Sequence, residues 1–182
     1  MKKIGLLISL FLVVMAIGKT AAQAPPVCFS STIVALDQNC SHTLLPEEVA
    51  QILPDCIVEI DRTQPFGDGP WDAPVLGPDD VNQVYQARVT HLTSGNSCTS
   101  LLEIQDKLPP VLICNDISLI TLDGTGDPVT TPTANLNISA VDACGATALQ
   151  PASVQYDCSD LGLHVVQLTA TDESGNTSSC QH

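Results

Sequence analysis

From Val165 the chain alternates apolar and polar positions and then turns. Val166, Leu168 and Ala170 fall on one face, and Gln167, Thr169 and Thr171 on the other, the period of two that marks a half-buried strand. Ser174-Gly175-Asn176 turns the chain into a returning strand that carries Cys180, with Gly175 supplying a positive φ. The same figure stands upstream: strands at Tyr85–Val89 and Leu101–Gln105 flank Ser94-Gly95-Asn96, and Cys98 follows the turn. A second correspondence joins Thr32–Asp37 to Ile117–Asp123. Leu36 and Asp37 lie eight and nine positions after Cys28, and Leu122 and Asp123 the same distances after Cys114. Agreement at both places marks an internal repeat, two copies of one small β domain.

Other elements fit between these landmarks. Pro46-Glu47-Glu48 opens Val49–Leu53 and Pro54 closes it, which predicts one or two helical turns. Cys56–Asp61 alternates as a strand. Thr63–Pro78 is rich in proline and glycine, reads as an irregular loop, and holds Trp71, the single tryptophan. A tryptophan so placed covers the edge of a thin core or offers a surface contact. Asp106-Lys107-Leu108-Pro109-Pro110 breaks the pattern as a short, stiff linker. Beyond it come a turn at Asp123–Asp127, an extended Pro128–Pro132, and strands at Asn137–Val141 and Ser153–Cys158. Nothing after Cys180 matches Thr99–Gln105, so the last strand of the second domain is expected to be missing and the sequence to belong to a longer protein with further modules.

The start of the chain has another character. Lys2 and Lys3 precede an apolar run at Ile4–Ile17, and small residues follow at Thr20, Ala21, Ala22 and Ala24. The run is shorter than the roughly 20 residues a membrane helix needs and reads as a secretory signal peptide. The expected organisation is a signal peptide at 1–22, a first domain at 23–107 and a second at 108–182, with no membrane span in the mature chain and a secreted or cell-surface location.

Composition sharpens that picture. The whole chain carries a net charge of −14. Without the leader only Arg62, Arg88 and Lys107 oppose 20 acids, a net charge of −17. Such a surface repels phosphate backbones and anionic membranes, so nucleic acid is excluded as a partner. Aromatic residues are 3% of the chain, too few for large cores, and small β domains with thin cores need staples. The eight cysteines all lie beyond the leader and supply them, in an oxidising compartment. Each domain holds four, Cys28, Cys40, Cys56 and Cys98, then Cys114, Cys144, Cys158 and Cys180, and four allow three pairings. No spacing suits zinc.

Four segments together carry a resemblance: Pro109-Pro-Val-Leu-Ile-Cys114, Asp142-Ala-Cys-Gly145, Tyr156-Asp-Cys-Ser-Asp-Leu-Gly162 and Thr169-Ala-Thr-Asp-Glu-Ser-Gly-Asn-Thr-Ser-Ser-Cys180. They resemble the hyalin repeat (HYR) module, an immunoglobulin-like β-sandwich of extracellular and adhesion proteins, in the tandem form of Bacteroidetes-type secreted and surface proteins. The match covers Leu108–His182 well and Val27–Asp106 more loosely. The resemblance implies an all-β chain of two tandem immunoglobulin-like sandwiches, with one short helical turn in the first. It also implies bridges of first with fourth and second with third cysteine: Cys28–Cys98, Cys40–Cys56, Cys114–Cys180 and Cys144–Cys158.

Candidate chemistry is sparse. Acidic turns suit the hard-oxygen preference of calcium, and Asp106, Asp123, Asp127 and Asp172 are the candidates, although none has EF-hand spacing. Such acids ordinarily serve local turn hydrogen bonds. No nucleophile elbow and no phosphate-cradling glycine loop occur, the four histidines are scattered, and no catalytic residue is nominated. The expected function is that of a non-enzymatic adhesion or spacer protein. Its alternative is an extracellular carbohydrate- or protein-binding module centred on Trp71.

Overall fold

The computed structural model describes residues 24–51, 54–115 and 117–182. The expected leader lies outside them. Strands hold 44% of the described residues and helices 6%, which places the chain in the all-β class with a sandwich-like arrangement of several sheets. No strand pairing joins residues 27–105 to residues 111–181 among the described residues, so the sheets form an N-terminal and a C-terminal set, hereafter the N-terminal and the C-terminal unit.

The N-terminal unit contains β1 (Val27–Cys28), β2 (Ser31–Ala35), β3 (His42–Thr43), a one-turn helix α1 (Pro46–Val49), β4 (Ala50–Gln51), β5 (Cys56–Asp61), β6 (Trp71–Asp72), β7 (Val75–Leu76), β8 (Val84–His91) and β9 (Ser97–Gln105). Its main sheet runs in the order β2-β9-β8-β5-β6, with β2 parallel to β9 and the other neighbours antiparallel. Strict alternation builds this sheet. In β8 the side chains of Tyr85, Ala87, Val89 and His91 point inward, and in β9 those of Ser100, Leu102 and Ile104. They meet Val34, Val58 and Ile60 from the same sheet and Leu36, Leu44, Val49 and Leu76 from the covering segments. Truncating a fully buried aliphatic such as Ile60 or Leu102 to alanine costs about 2–5 kcal/mol.

The helix is shorter than the sequence suggests. Ala50 returns to extended backbone (φ −147°) because β4 pairs with β1, so tertiary pairing overrides the helical pattern; Ile52 and Leu53 lie outside the described residues.

The C-terminal unit contains β10 (Val111–Cys114), β11 (Val129–Pro132), β12 (Ile138–Val141), β13 (Thr147–Gln150), β14 (Ser153–Tyr156), β15 (Gln167–Asp172) and β16 (Thr177–Gln181). They form the pairs β10–β12 and β11–β14 and the three-stranded sheet β13-β15-β16. Its buried apolar side chains are few: Leu136, Val154, Leu168 and Ala170. The strand expected at Ile117–Asp123 does not form a ladder, because no described strand pairs with it. Thr147–Gln150, which the sequence pattern missed, pairs with β15 instead.

The outer bridges form as expected, Cys28–Cys98 and Cys114–Cys180, each tying the segment before the unit's first long extended stretch to its last strand. The inner pairs Cys40–Cys56 and Cys144–Cys158 do not form. Cys40 is bonded instead to Cys144 across the two units, with a Cα–Cα distance of 5.0 Å, and Cys56 and Cys158 are unpaired. Strand geometry gives the reason. Cys40 follows β2 at the Gln105 end of the sheet, where Leu36 N–H donates to Gln105. Cys56 pairs with His91 at the opposite end of β5, about 15 Å away at the usual rise per residue and far beyond disulfide reach. Cys144 likewise borders the junction, whereas Cys158 lies in the exposed Asp157–Asp160 turn.

Candidate functional site at the junction of the two units

The junction gathers the polar groups that the two units do not use for their own cores. Asp106, the first residue after β9, is buried although it is a carboxylate. Its Oδ1 accepts a hydrogen bond from Leu108 N–H at 3.0 Å, which bends the linker into an Asx turn. The Gly175 turn of the second unit clamps the same linker. Gly175 takes φ +86°, as its place in the hairpin requires, and presents Asn176. Asn176 Nδ2 donates to the carbonyls of Asp106 (3.3 Å) and Leu108 (3.2 Å) and to Asp172 Oδ2 (2.9 Å). Asp172 Oδ1 accepts Asn176 N–H at 2.8 Å and so fixes the turn.

A polar cavity of about 120 Å³ opens beside this clamp, bordered by Val81 and Asn82 of the first unit and by Cys144, Asp172 and Glu173 of the second. Asp106 faces it. Burial first, and then the charges of Asp142 and Asp172, push the Asp106 carboxyl above its ordinary value. Asp142 Oδ1 accepts Cys144 N–H at 2.7 Å, which orients the loop that carries the bridge to Cys40.

Ligand oxygens of Asp106 and Asp142 lie within 4.8 Å of each other and of Cys144 Sγ. That sulfur is bonded to Cys40 and is no thiolate, so it does not bind zinc. Two carboxylates, with Asp172 bordering the cavity, are a hard-oxygen set, but a small one beside the six to eight oxygens that calcium takes. Of the four acids singled out for calcium, Asp106 and Asp172 come together here. Asp123 and Asp127 lie in a distant exposed turn, where Asp123 Oδ1 accepts Thr125 N–H and the Thr125 hydroxyl. The chain matches no family model and no curated protein.

The Trp71 loop forms a second polar centre, built on Asp61. This fully buried carboxylate accepts Thr63 N–H at 2.9 Å, Gly67 N–H at 2.8 Å and Gly69 N–H at 3.2 Å, and these amides, Gly67 foremost, hold it below its usual value. Trp71 pairs with Asp61 at the edge strand and is half-buried. It does not cover the core. Asp61 and Glu59 point to the face opposite Val58 and Ile60, and the Arg88 guanidinium of that outer face stacks 3.9 Å from the Trp71 ring centroid while donating to Glu59 at 2.8 Å. Next to the loop, Asp80 accepts Gly77 N–H, the Tyr85 hydroxyl and Arg62 Nε. Burial and the Asp80 carboxylate push the Tyr85 phenol up to about 12.

Asp142 and Asn176 are the junction residues that the sequence reading did not single out. Both stand inside motifs it noted, Asp-x-Cys and Ser-Gly-Asn. Their meeting with Asp106 depends on tertiary packing that no local pattern encodes.

Proposed function

We propose that this chain is a non-enzymatic spacer and adhesion module that acts outside the cell, built from hyalin-repeat-like units and contacting extracellular protein or glycan. The observation that carries the reading is the Cys40–Cys144 bridge. A flexible tether has no use for a covalent bond between consecutive units, whereas an element that must transmit force or hold its binding loops at a fixed spacing does. The Asn176 clamp on the linker carbonyls and the proline pair Pro109-Pro110 support the same reading by removing freedom from the hinge. Disulfides require an oxidising compartment, and no helix among the described residues is long and apolar enough to cross a membrane.

The experiment compares the oxidised protein with the Cys40→Ser/Cys144→Ser variant by residual dipolar couplings. One alignment tensor should describe both units in the wild type, and two in the variant. Two tensors in the wild type would remove the reading. Glycan binding centred on Trp71 is the rival. The ring already stacks on Arg88 and is half-buried, and a glycan array that loses its signals in Trp71→Ala would favour that rival.

A further inference from the structure

One difference between the two copies of the repeat leaves a groove. In the N-terminal unit Leu101–Gln105 runs between two strands, parallel to Ser31–Ala35 and antiparallel to Val84–Gln86, with Leu102 and Ile104 buried beneath it. Superposing the outer bridges sets Cys114 on Cys28 and Cys180 on Cys98. The ladders agree with that alignment. Val89 pairs with Cys98 and Leu168 with Cys180, and His182 takes the place of Ser100, exchanging two backbone hydrogen bonds with Val166 where Ser100 pairs with Ala87. Residues 117–121 therefore stand where β2 stands, and residues 163–165 where Val84–Gln86 stand. Ser118, Ile120 and Leu122 keep the inward alternation of Thr32, Val34 and Leu36.

No described residue takes the part of Leu101–Gln105. Residues 117–122 and 161–165 lie outside every strand pair, and Leu119, Leu161 and Leu163 are 91%, 78% and 82% exposed. Between the two segments lies a groove of about 380 Å³, walled by Ile120, Leu122 and Val166 and floored by Leu136 and Val154. Large apolar surface beside unpaired extended backbone is a template for strand addition.

We infer that this groove is a strand-acceptor site. It takes an extended polypeptide segment not contained in these 182 residues, running parallel to residues 117–121 and antiparallel to residues 163–165. Its register places aliphatic side chains at two alternate positions over Leu136 and Val154, as Leu102 and Ile104 are placed over the first core. The chain itself specifies this occupant, because its other copy shows the same two flanking segments holding such a strand. A small apolar molecule would use the floor and leave both rows of backbone groups without protein partners. The inference is independent of the spacer reading.

The test uses the oxidised full chain with a synthetic peptide of the sequence Thr99–Gln105, and a control peptide in which the residues corresponding to Leu102 and Ile104 are serine. A third arm fuses Leu101–Gln105, or the same five residues with serine at the two aliphatic positions, directly after His182, which keeps the proposed register and brings the effective concentration to roughly the millimolar range. Amide exchange at residues 117–121 and 163–165 should slow by about tenfold or more with the aliphatic segment, free or fused, while the N-terminal unit is unchanged. No slowing in the fused chain overturns the inference. So does equal slowing by the serine control, protection that appears without peptide as protein concentration rises (a second copy in the groove), or protection given by a fatty acid and not by the fused aliphatic strand.

Discussion

Asp106 is the residue at which the two units meet, and its carboxylate sets the sign of the junction's pH dependence. Its folded-state value is raised above the ordinary 3.8 by burial and by Asp142 and Asp172. A raised value means that the folded chain holds this proton more tightly than the unfolded chain does. The favourable contribution is complete below the unfolded value and is lost as pH rises through the folded one. At neutral pH the charged carboxylate therefore works against the junction. Asp106→Asn keeps the Oδ1 acceptor for Leu108 and removes the charge, so its unfolding midpoint should exceed that of the wild type at pH 7, with the gap closing near about pH 4. A midpoint at pH 7 equal to or below that of the wild type would contradict this account.

At the scale of elements, the Thr63–Pro70 segment is held by one buried side chain rather than by a ladder. Asp61 accepts three amides from it and has a lowered value, so its contribution is present above the unfolded 3.8 and is lost as pH falls through the folded value. Asp61→Ala should speed amide exchange at Thr63, Gly67 and Gly69 and leave β8 and β9 protected; unchanged exchange at those three amides would show that the loop is held otherwise. Strands of this kind were readable from sequence wherever an inward face of Val, Ile, Leu or Ala alternated with polar residues, as in β2, β5, β8, β9 and β15. What escaped was decided by partners distant in the chain. β4 forms because β1 lies beside it, the Ile117–Asp123 stretch stays unpaired because its neighbour position is vacant, and the inner cysteines pair by which end of a sheet they occupy. Two members of the junction cluster, Asp106 and Asp172, were visible as acids in turns; that they share a cavity with Asp142 was not, since their separation in sequence carries no periodic signal.

For the whole molecule the three bridges matter through their order along the chain. Cys28–Cys98 encloses Cys40, Cys40–Cys144 encloses both Cys98 and Cys114, and Cys114–Cys180 encloses Cys144. Each closed loop overlaps the next, like links in a chain. In the chain-entropy description the longest, across 104 residues, removes about 4.7 kcal/mol of freedom from the unfolded state. The linker has another property: Lys107 is its basic residue, and it is exposed, whereas Arg62 and Arg88 are engaged with Asp80 and Glu59. In the chain without residues 1–22, a trypsin-like protease should cut after Lys107 first. The cut severs the only peptide path between the units, yet Cys40 and Cys144 lie on opposite sides of it. The nicked protein should migrate as one species on a non-reducing gel and as two fragments after reduction, while Cys40→Ser/Cys144→Ser separates without reductant. In an environment rich in proteases, the bond between the units thus turns backbone scission at the hinge into a silent event.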